Sequence, residues 1–273
     1  MRAPRKTTGS ILYHVFIMGF GLLLFYPVLW LISSSVKGPA EIFQNAHTLI
    51  PQSLHLENYI QGWRGFIGVN FGVFFKNSFI ISISSTLGQL ISASLVAYGF
   101  ARIRFFAKNV WFAIMIATLL LPSQVLMIPQ YLIFSHLKWI DTYWPIILPS
   151  VFSQPFFIFL MFQFIQGLPA ELDEAAKIDG CGRFSIYWRI ILPNITPALI
   201  TGGIFSFYWT WNNFFQALLY IQSVQKYPVS FALQLFSDAS AQTQWGPMFA
   251  MSVCSLLPIF IIFITLQRNL VEG

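Results

Sequence analysis

Long apolar runs separated by short polar segments make up most of the chain, and their lengths predict membrane-spanning helices. A helix needs about 20 apolar residues to cross the hydrocarbon core of a bilayer, and it satisfies its backbone polar groups internally. The alternation typical of a membrane β-barrel does not occur. We therefore predict an all-α polytopic membrane protein with a single transmembrane domain over residues 1–273. The six predicted spans are Ile11–Ser33, Asn77–Ala101, Val110–Gln130, Tyr143–Phe164, Ile195–Ile221 and Trp245–Leu266.

One polar segment, residues 166–193, carries helix signals of its own. Pro169 marks a helix start, and the carboxylates that follow it suit the first turn of a helix because of the helix dipole. These carboxylates are Glu171, Asp173 and Glu174. Gly180 predicts the end of this helix, and Arg183–Ile191 predicts a second short helix that ends before Pro193. The segment is therefore predicted to be a helical hairpin standing in water.

The composition supports a membrane location. The chain is 56% hydrophobic and 9% charged, whereas an average soluble domain has about 25% charged residues. The net charge of +6 is not gathered into a basic surface, so no nucleic-acid partner is predicted. Cys181 and Cys254 lie far apart and make no metal-binding spacing, so no metal site is predicted.

The distribution of cations predicts the orientation. Of the 15 Lys and Arg residues, ten fall on the side that contains residues 166–193 and both termini, and five fall on the other side. The positive-inside rule then places both termini and the hairpin in the cytoplasm. Residues 37–71 and 223–244 become outer loops. The first span has the basic start of a signal peptide, but its apolar core is too long for cleavage, so an uncleaved anchor is predicted.

The predicted spans contain no Asp or Glu, although ion-coupled transporters and intramembrane proteases usually depend on ionisable residues at depth. The chain also contains no G-x4-G-K-[S/T] motif for ATP. Any energy for uphill transport is therefore predicted to come from a partner, and the chain itself is predicted not to be an enzyme.

The fifth span carries a cluster of uncharged polar and aromatic residues. Amides can bond sugar hydroxyls and indole rings can stack on sugar faces, so the cluster is a candidate substrate path. The same residue types also hydrogen-bond between packed helices, and both interpretations stay open. The cluster comprises Trp209, Trp211, Asn212, Asn213 and Gln216.

Small residues on the second span predict a different feature, a face where another helix can approach closely. They recur near one helical stripe and predict packing without chemistry. They are Ser85, Gly88, Ser92 and Gly99.

The hairpin sequence matches a known motif. Glu174–Gly180, followed nine residues later by Ile190–Pro193, has the form E-A-A-x3-G-x9-I-x-L-P. It resembles the cytoplasmic coupling motif (EAA motif) of permease subunits in binding-protein-dependent ABC importers. Further segments resemble the second membrane subunit of sugar importers of the maltose and multiple-sugar type. They are Tyr26–Trp30, Leu56–Tyr59, Ala97–Arg102 and Trp211–Phe214.

This resemblance implies a type I importer permease in a bacterial plasma (inner) membrane. It implies a homologous second permease, two cytoplasmic ATPases that hold ATP and Mg, and an extracellular or periplasmic sugar-binding protein. The ATPase contacts carried over from the motif are Glu174, Ala175, Ala176, Asp179 and Gly180. Candidate contacts to the binding protein in the last outer loop are Asp238, Ser240, Gln242 and Gln244.

The expected substrate is an oligosaccharide. The alternative is a subunit of the same type that imports another polar solute, such as a glycerol phosphate or a polyol. An ion-coupled secondary transporter is disfavoured by the absence of carboxylates from the spans. A solvated connection without a partner is the alternative for the last outer loop.

Overall fold

In the computed structural model, the described residues are 7–152, 154–236 and 244–272, and their regular elements are helices. The predicted all-α class is confirmed. A π-helical turn, Tyr187–Ile191, follows α10, and a 3₁₀ turn, Val224–Lys226, precedes α14. The α-helices are α1 (Thr7–Ser34), α2 (Pro39–Gln44), α3 (Glu57–Arg64), α4 (Phe71–Arg102), α5 (Lys108–Thr118), α6 (Ser123–His136), α7 (Trp144–Val151), α8 (Pro155–Gly167), α9 (Glu171–Ile178), α10 (Arg183–Ile186), α11 (Leu192–Asn194), α12 (Thr196–Trp211), α13 (Phe214–Tyr220), α14 (Val229–Leu235) and α15 (Trp245–Glu272).

Four helical stretches in the described part of the chain are long and apolar enough to cross a membrane. They match the first, second, fourth and sixth predicted spans. These stretches are Tyr13–Ser34, Phe71–Arg102, Trp144–Gly167 and Trp245–Gln267. A fifth candidate is the pair Arg183–Asn194 and Thr196–Trp211, which is bent by 75° at its break.

Three of the six predicted spans, the third, the fourth and the fifth, are each divided between two helices. In the fourth, α7 ends at Val151 and α8 begins at Pro155. In place of Val110–Gln130, α5 ends at Thr118 and α6 begins at Ser123. Pro122 lies at this break. Because proline lacks an N–H and restricts the backbone of the residue before it, a continuous helix is disfavoured here. The stretch Ile195–Ile221 is divided between α12 and α13.

The first compact unit comprises residues 1–65 and 233–256, and its outer segment is tied to its helices by side-chain amides and indoles. Trp30 donates its indole N–H to the Ala46 carbonyl at 2.7 Å, and its ring packs edge-on against Phe249. The Asn58 amide donates to the carbonyls of Ser35 and Lys37 at 3.0 and 2.9 Å. The first part of the predicted outer segment 37–71 is therefore held in a defined structure by these contacts.

The second compact unit comprises residues 66–232 and 257–273, and in it α4 packs against α7, α8 and α12. A Cβ atom at Gly88 would lie 2.5 Å from Cγ2 of Val151, so only glycine permits this approach of α7 to α4. Between α4 and α12, the Ser206 hydroxyl donates to Oε1 of Gln89 at 2.6 Å, and both residues are buried. Close packing of small residues and buried hydrogen bonds thus join these helices.

Candidate functional site

The hairpin predicted between the fourth and fifth spans is present, and its first arm is α9. After Ile178 the chain turns through a Schellman motif, in which Gly180 N–H bonds to the Lys177 carbonyl at 3.0 Å. Cys181 N–H bonds to the Ala176 carbonyl at 2.9 Å. Gly180 has φ +78, a backbone conformation that side chains disfavour. The predicted helix end at Gly180 is confirmed.

The second arm is longer than predicted. It runs through α10, the π-helical turn and α11, so the predicted helix end before Pro193 is wrong. The Leu192 N–H bonds to the Tyr187 carbonyl, five residues earlier, and closes the π-helical turn. Pro193 then lies in the first turn of α11, where a missing N–H is tolerated.

The hairpin is attached to the end of α4. Nε of Arg102 lies 3.1 Å from Oδ2 of Asp173, and Nη2 of Arg102 donates to the Leu168 carbonyl at 2.7 Å. On the second arm, the Tyr98 hydroxyl donates to the Arg183 carbonyl at 3.0 Å. These contacts could not be predicted from the sequence, in which Asp173 is one of several carboxylates that suit the first turn of a helix. They bind both arms of the hairpin to a long helix.

The five residues that the motif assigns to coupling do not all face outward. Glu174, Ala175, Asp179 and Gly180 are exposed. Ala176 is buried and belongs to an apolar cluster of the chain itself. The side of α9 that carries Ala176 is therefore a packing face.

Large apolar side chains project from this polar hairpin, three of them more than half exposed, and sequence reasoning missed them. Ile178 is 87% exposed, and Phe184 and Trp188 are also exposed. Large apolar side chains that are exposed on an otherwise polar segment indicate an interaction surface. One sign of this surface was present in the sequence: Ile178 is an isoleucine between two charged residues, Lys177 and Asp179.

The cluster on the fifth span divides into two groups, and the first is structural. Trp211 is buried, with its ring centroid 4.9 Å from that of Phe79. Asn213 caps α13, accepting the Gln216 N–H at 3.1 Å, and its amide donates to the Gln216 side chain at 2.8 Å. These interactions are those of helix packing and capping.

The second group, Trp209 and Asn212, keeps accessible surface. The Trp209 ring is 42% exposed and packs 5.3 Å from the Phe156 ring. Asn212 is exposed at the break after α12, and its amide donates to the Tyr208 carbonyl at 2.9 Å. An indole ring and an amide thus both keep accessible surface near this helix break.

The candidate contacts of the last outer loop are largely outside the described residues. Asp238, Ser240 and Gln242 lie there. Gln244 is described and exposed, and its backbone N–H donates to the Phe236 carbonyl at 3.3 Å. The role proposed for this loop stays a prediction.

A polar network not predicted from sequence joins two connections on the side assigned to the exterior. Oδ1 of Asp141 accepts the backbone N–H groups of Gln222 and Ser223, and Oδ2 accepts from Lys226 at 2.9 Å. Burial by itself would raise the pKa of Asp141, but the hydrogen bonds from Ser223, Lys226 and Gln222 outweigh it and hold the pKa well below its usual range. The carboxylate is therefore ionised over the physiological range.

The described residues contain no group of three or more His, Cys, Asp or Glu side chains that could hold a metal ion. The polar features described above are an exposed hairpin surface, a helix break with neutral groups and the ion pair of Asp141 and Lys226. None of them is a constellation of nucleophile, base and oxyanion donors.

The comparisons with known proteins agree with this picture. Residues 89–272 match the family model for "Binding-protein-dependent transport system inner membrane component". The chain is 34% identical to "Probable ABC transporter permease protein YurM" of Bacillus subtilis over 99% of this chain and 89% of that one. It is 32% identical to "Arabinooligosaccharides transport system permease protein AraQ" of Halalkalibacterium halodurans, over 98% and 97% of the two chains.

A solved structure gives independent support for the fold. A chain in the crystal structure of a bacterial ABC transporter involved in the import of the acidic polysaccharide alginate superposes with a TM-score of 0.83. The identity is 20%, and the match covers 98% of this chain and 99% of that one. The helical hairpin, the family match and this fold lead to one identification: the chain belongs to the family of inner membrane components of binding-protein-dependent transport systems, the permease subunits of ABC importers.

Proposed function

We propose that this chain is the transmembrane pore subunit of an ATP-driven importer, and that residues 166–193 receive the motion of a cytoplasmic ATPase. The observation that carries the proposal is the exposed surface of the hairpin, where Glu174, Asp179 and the 87% exposed Ile178 project from a helix fixed at its other face. A protein cleft could take the apolar side chain and pair with the two carboxylates.

The contacts within the second unit support a path from this surface to the pore. The ion pair of Arg102 and Asp173 joins the hairpin to α4. Further along α4, the buried hydrogen bond between Gln89 and Ser206 joins it to α12, the helix that carries Trp209. Because packed helices move as rigid bodies rather than deform, displacement of the hairpin would shift α4 and α12 together.

The remaining partners follow from the same assignment. ATP and Mg²⁺ would be held by two cytoplasmic ATPase subunits, since this chain has no phosphate-binding loop of its own. A homologous second permease would complete the pore, and a binding protein outside the membrane would deliver the substrate. The cation distribution supports cytoplasmic termini.

An oligosaccharide is the substrate class that the chain supports best. Trp209 and Asn212 offer a ring face and an amide without charge, which suits stacking on sugar rings and bonding of hydroxyl groups. One relative is named for arabinooligosaccharides and the matched structure for alginate import, which supports this class. Other relatives, 29% identical to this chain, are named for sn-glycerol-3-phosphate, the alternative substrate. An anionic solute, whether phosphorylated or an acidic sugar, would require cations that this helix break does not contain, so a second permease would have to supply them.

The coupling role is tested by Ile178→Asp and Glu174→Lys in the full transporter. Because both side chains are exposed, each variant should insert and fold normally but co-purify with less ATPase and lose sugar uptake. Ile50→Asp is a matched control, since Ile50 is 83% exposed in the predicted outer segment. Normal ATPase recovery and uptake in both hairpin variants would show that coupling lies elsewhere.

The substrate class is tested separately. The cognate binding protein should be screened against neutral and acidic oligosaccharides, polyols and glycerol phosphate, followed by uptake measurements with Trp209→Ala. We expect binding of an oligosaccharide and a raised KM for uptake in the variant. Binding of glycerol phosphate alone would support the alternative substrate and leave the coupling role unchanged.

A further inference from the structure

A cleft of about 460 Å³ lies between the end of α4, the turn that leads into α5, and the two arms of the hairpin. It belongs entirely to the second compact unit. Apart from Glu174, its lining contains none of the proposed ATPase contacts and none of the substrate-path candidates. Five cationic side chains line it: Arg102, Arg104, Lys108, Lys177 and Arg183.

Most of this positive charge is not compensated within the chain. Of the two carboxylates that line the cleft, Asp173 is paired with Arg102. The charged side-chain groups of the other four form no hydrogen bond or ion pair with residues that the structure describes, and Glu174 is the remaining carboxylate. The cleft therefore carries an excess of about three positive charges, which favours an anionic ligand.

The surroundings of the cleft are apolar on the side of α5. Phe106, in the turn between α4 and α5, is 93% exposed, and Trp111 on α5 is 55% exposed. Val110 and Ile114 continue this exposed apolar surface along α5. Exposed aromatic residues at the end of a span are typical of the headgroup region of a bilayer. A ligand with an anionic head and apolar tails matches both parts of this surface.

We propose that the cleft binds the phosphate headgroup of an anionic phospholipid, such as phosphatidylglycerol, from the cytoplasmic leaflet, with its acyl chains along α5. Basic pockets beside membrane spans on the cytoplasmic side are suited to such headgroups. Arg104 lies in the α4–α5 turn and Lys108 is the first residue of α5, whereas Lys177 and Arg183 belong to the hairpin. The headgroup would therefore bridge the hairpin to the membrane-embedded helices.

The proposal rests on the proposed orientation, which places this cleft at the cytoplasmic surface. It does not depend on the ATPase, so lipid binding can be measured on the full-length chain alone. The probe is a vesicle of equal parts phosphatidylglycerol and phosphatidylcholine. After extraction and purification, the retained lipids are quantified by native mass spectrometry.

The chain should retain phosphatidylglycerol in preference to phosphatidylcholine. The double variant Arg104→Gln/Lys108→Gln should lower this retention about 10- to 30-fold, since each cation near an anionic surface contributes a factor of about five. Lys76→Gln/Lys138→Gln, which removes two exposed cations on the other side with the same change of charge, should retain lipid normally.

Three results would overturn the proposal. One is equal retention of the two lipids, and another is an equal loss in both double variants. The third is displacement of phosphatidylglycerol by millimolar inorganic phosphate or by a soluble acidic peptide, which would identify the cleft as a site for a soluble anion or an acidic protein segment. Loss of ATPase docking in the hairpin variants would bear only on the coupling role, so the two failures are distinguishable.

Discussion

Nε of Arg102 lies 3.1 Å from Oδ2 of Asp173, with only 14% and 9% of the two side chains exposed. Arg102 is the last residue of α4, and Asp173 lies in the first turn of α9. The pair therefore joins the end of a long membrane helix to the hairpin. Because both groups are shielded from water, removal of either one leaves a charge without a partner.

We expect Arg102→Gln to destabilise the chain by about 1–3 kcal/mol, because Asp173 is then left shielded and unpaired. The variant should also uncouple ATP hydrolysis from transport, since the hairpin loses its link to α4. The measurements are thermal stability in detergent and the ratio of sugar uptake to ATP hydrolysis. Glu171→Gln is the control, because Glu171 is exposed, forms no ion pair in the described part of the chain and is not one of the proposed ATPase contacts. Equal stability of the two variants would contradict a structural role for the pair.

Gly180 and Gly182 provide a matched test of the hairpin turn. Gly180 has φ +78 and Gly182 has φ −71, and a Cβ atom at either position would meet nothing within 4 Å. Gly180→Ala should therefore strain the turn by about 1–2 kcal/mol without any clash, whereas Gly182→Ala should not. We expect weaker recovery of the ATPase with Gly180→Ala only. The same recovery with both variants would show that the left-handed conformation is unimportant for docking.

Gly88 and Gly99, both on α4, provide a second matched pair. A Cβ atom at Gly88 would clash with Val151, whereas one at Gly99 would meet nothing within 4 Å. Gly88→Ala should destabilise the chain by about 1–3 kcal/mol through overpacking. Gly99→Ala should be neutral or should stabilise the chain by up to about 1 kcal/mol, since alanine favours helix more than glycine. Thermal unfolding monitored by size-exclusion chromatography distinguishes the two, and a stable Gly88→Ala variant would contradict close packing of α4 and α7.

The network around Asp141 predicts a dependence on pH. Its folded-state pKa is lowered, so its contribution to stability is complete above its unfolded-state pKa of about 4 and is lost as the pH falls below that value. Asp141→Asn should therefore lower the melting temperature at pH 7, and the difference from the wild type should shrink towards pH 3. The effect should correspond to about 1 kcal/mol, because the Lys226 partner is 43% exposed.

Glu57→Gln serves as the control for Asp141→Asn. Glu57 is exposed and forms no ion pair among the described residues, so its difference from the wild type should be small and should not follow the same curve. A difference for Asp141→Asn that grows as the pH falls would have the wrong sign for a lowered pKa.

Features that depend on nearby residues could be predicted from the sequence alone. The end of α9 at Gly180 follows from one residue that tolerates a left-handed backbone. The spans without a break follow from the length of their apolar runs. The motif around Glu174 also led to the family, since it is carried by consecutive residues. These properties are local, because they depend on residues within one segment and not on contacts with other segments.

Features that depend on which segments meet required the tertiary structure. Gly88 and Gly99 read alike as members of one small-residue stripe, but only Gly88 meets α7. Trp209 and Trp211 read as one cluster, but Trp211 is buried in the chain whereas Trp209 keeps an accessible face. The sequence by itself determined the helical class, the hairpin and the family. The tertiary structure alone decided the pairing of Arg102 with Asp173 and the exposed surfaces, because burial and ion pairing depend on distances in space that residue spacing does not encode.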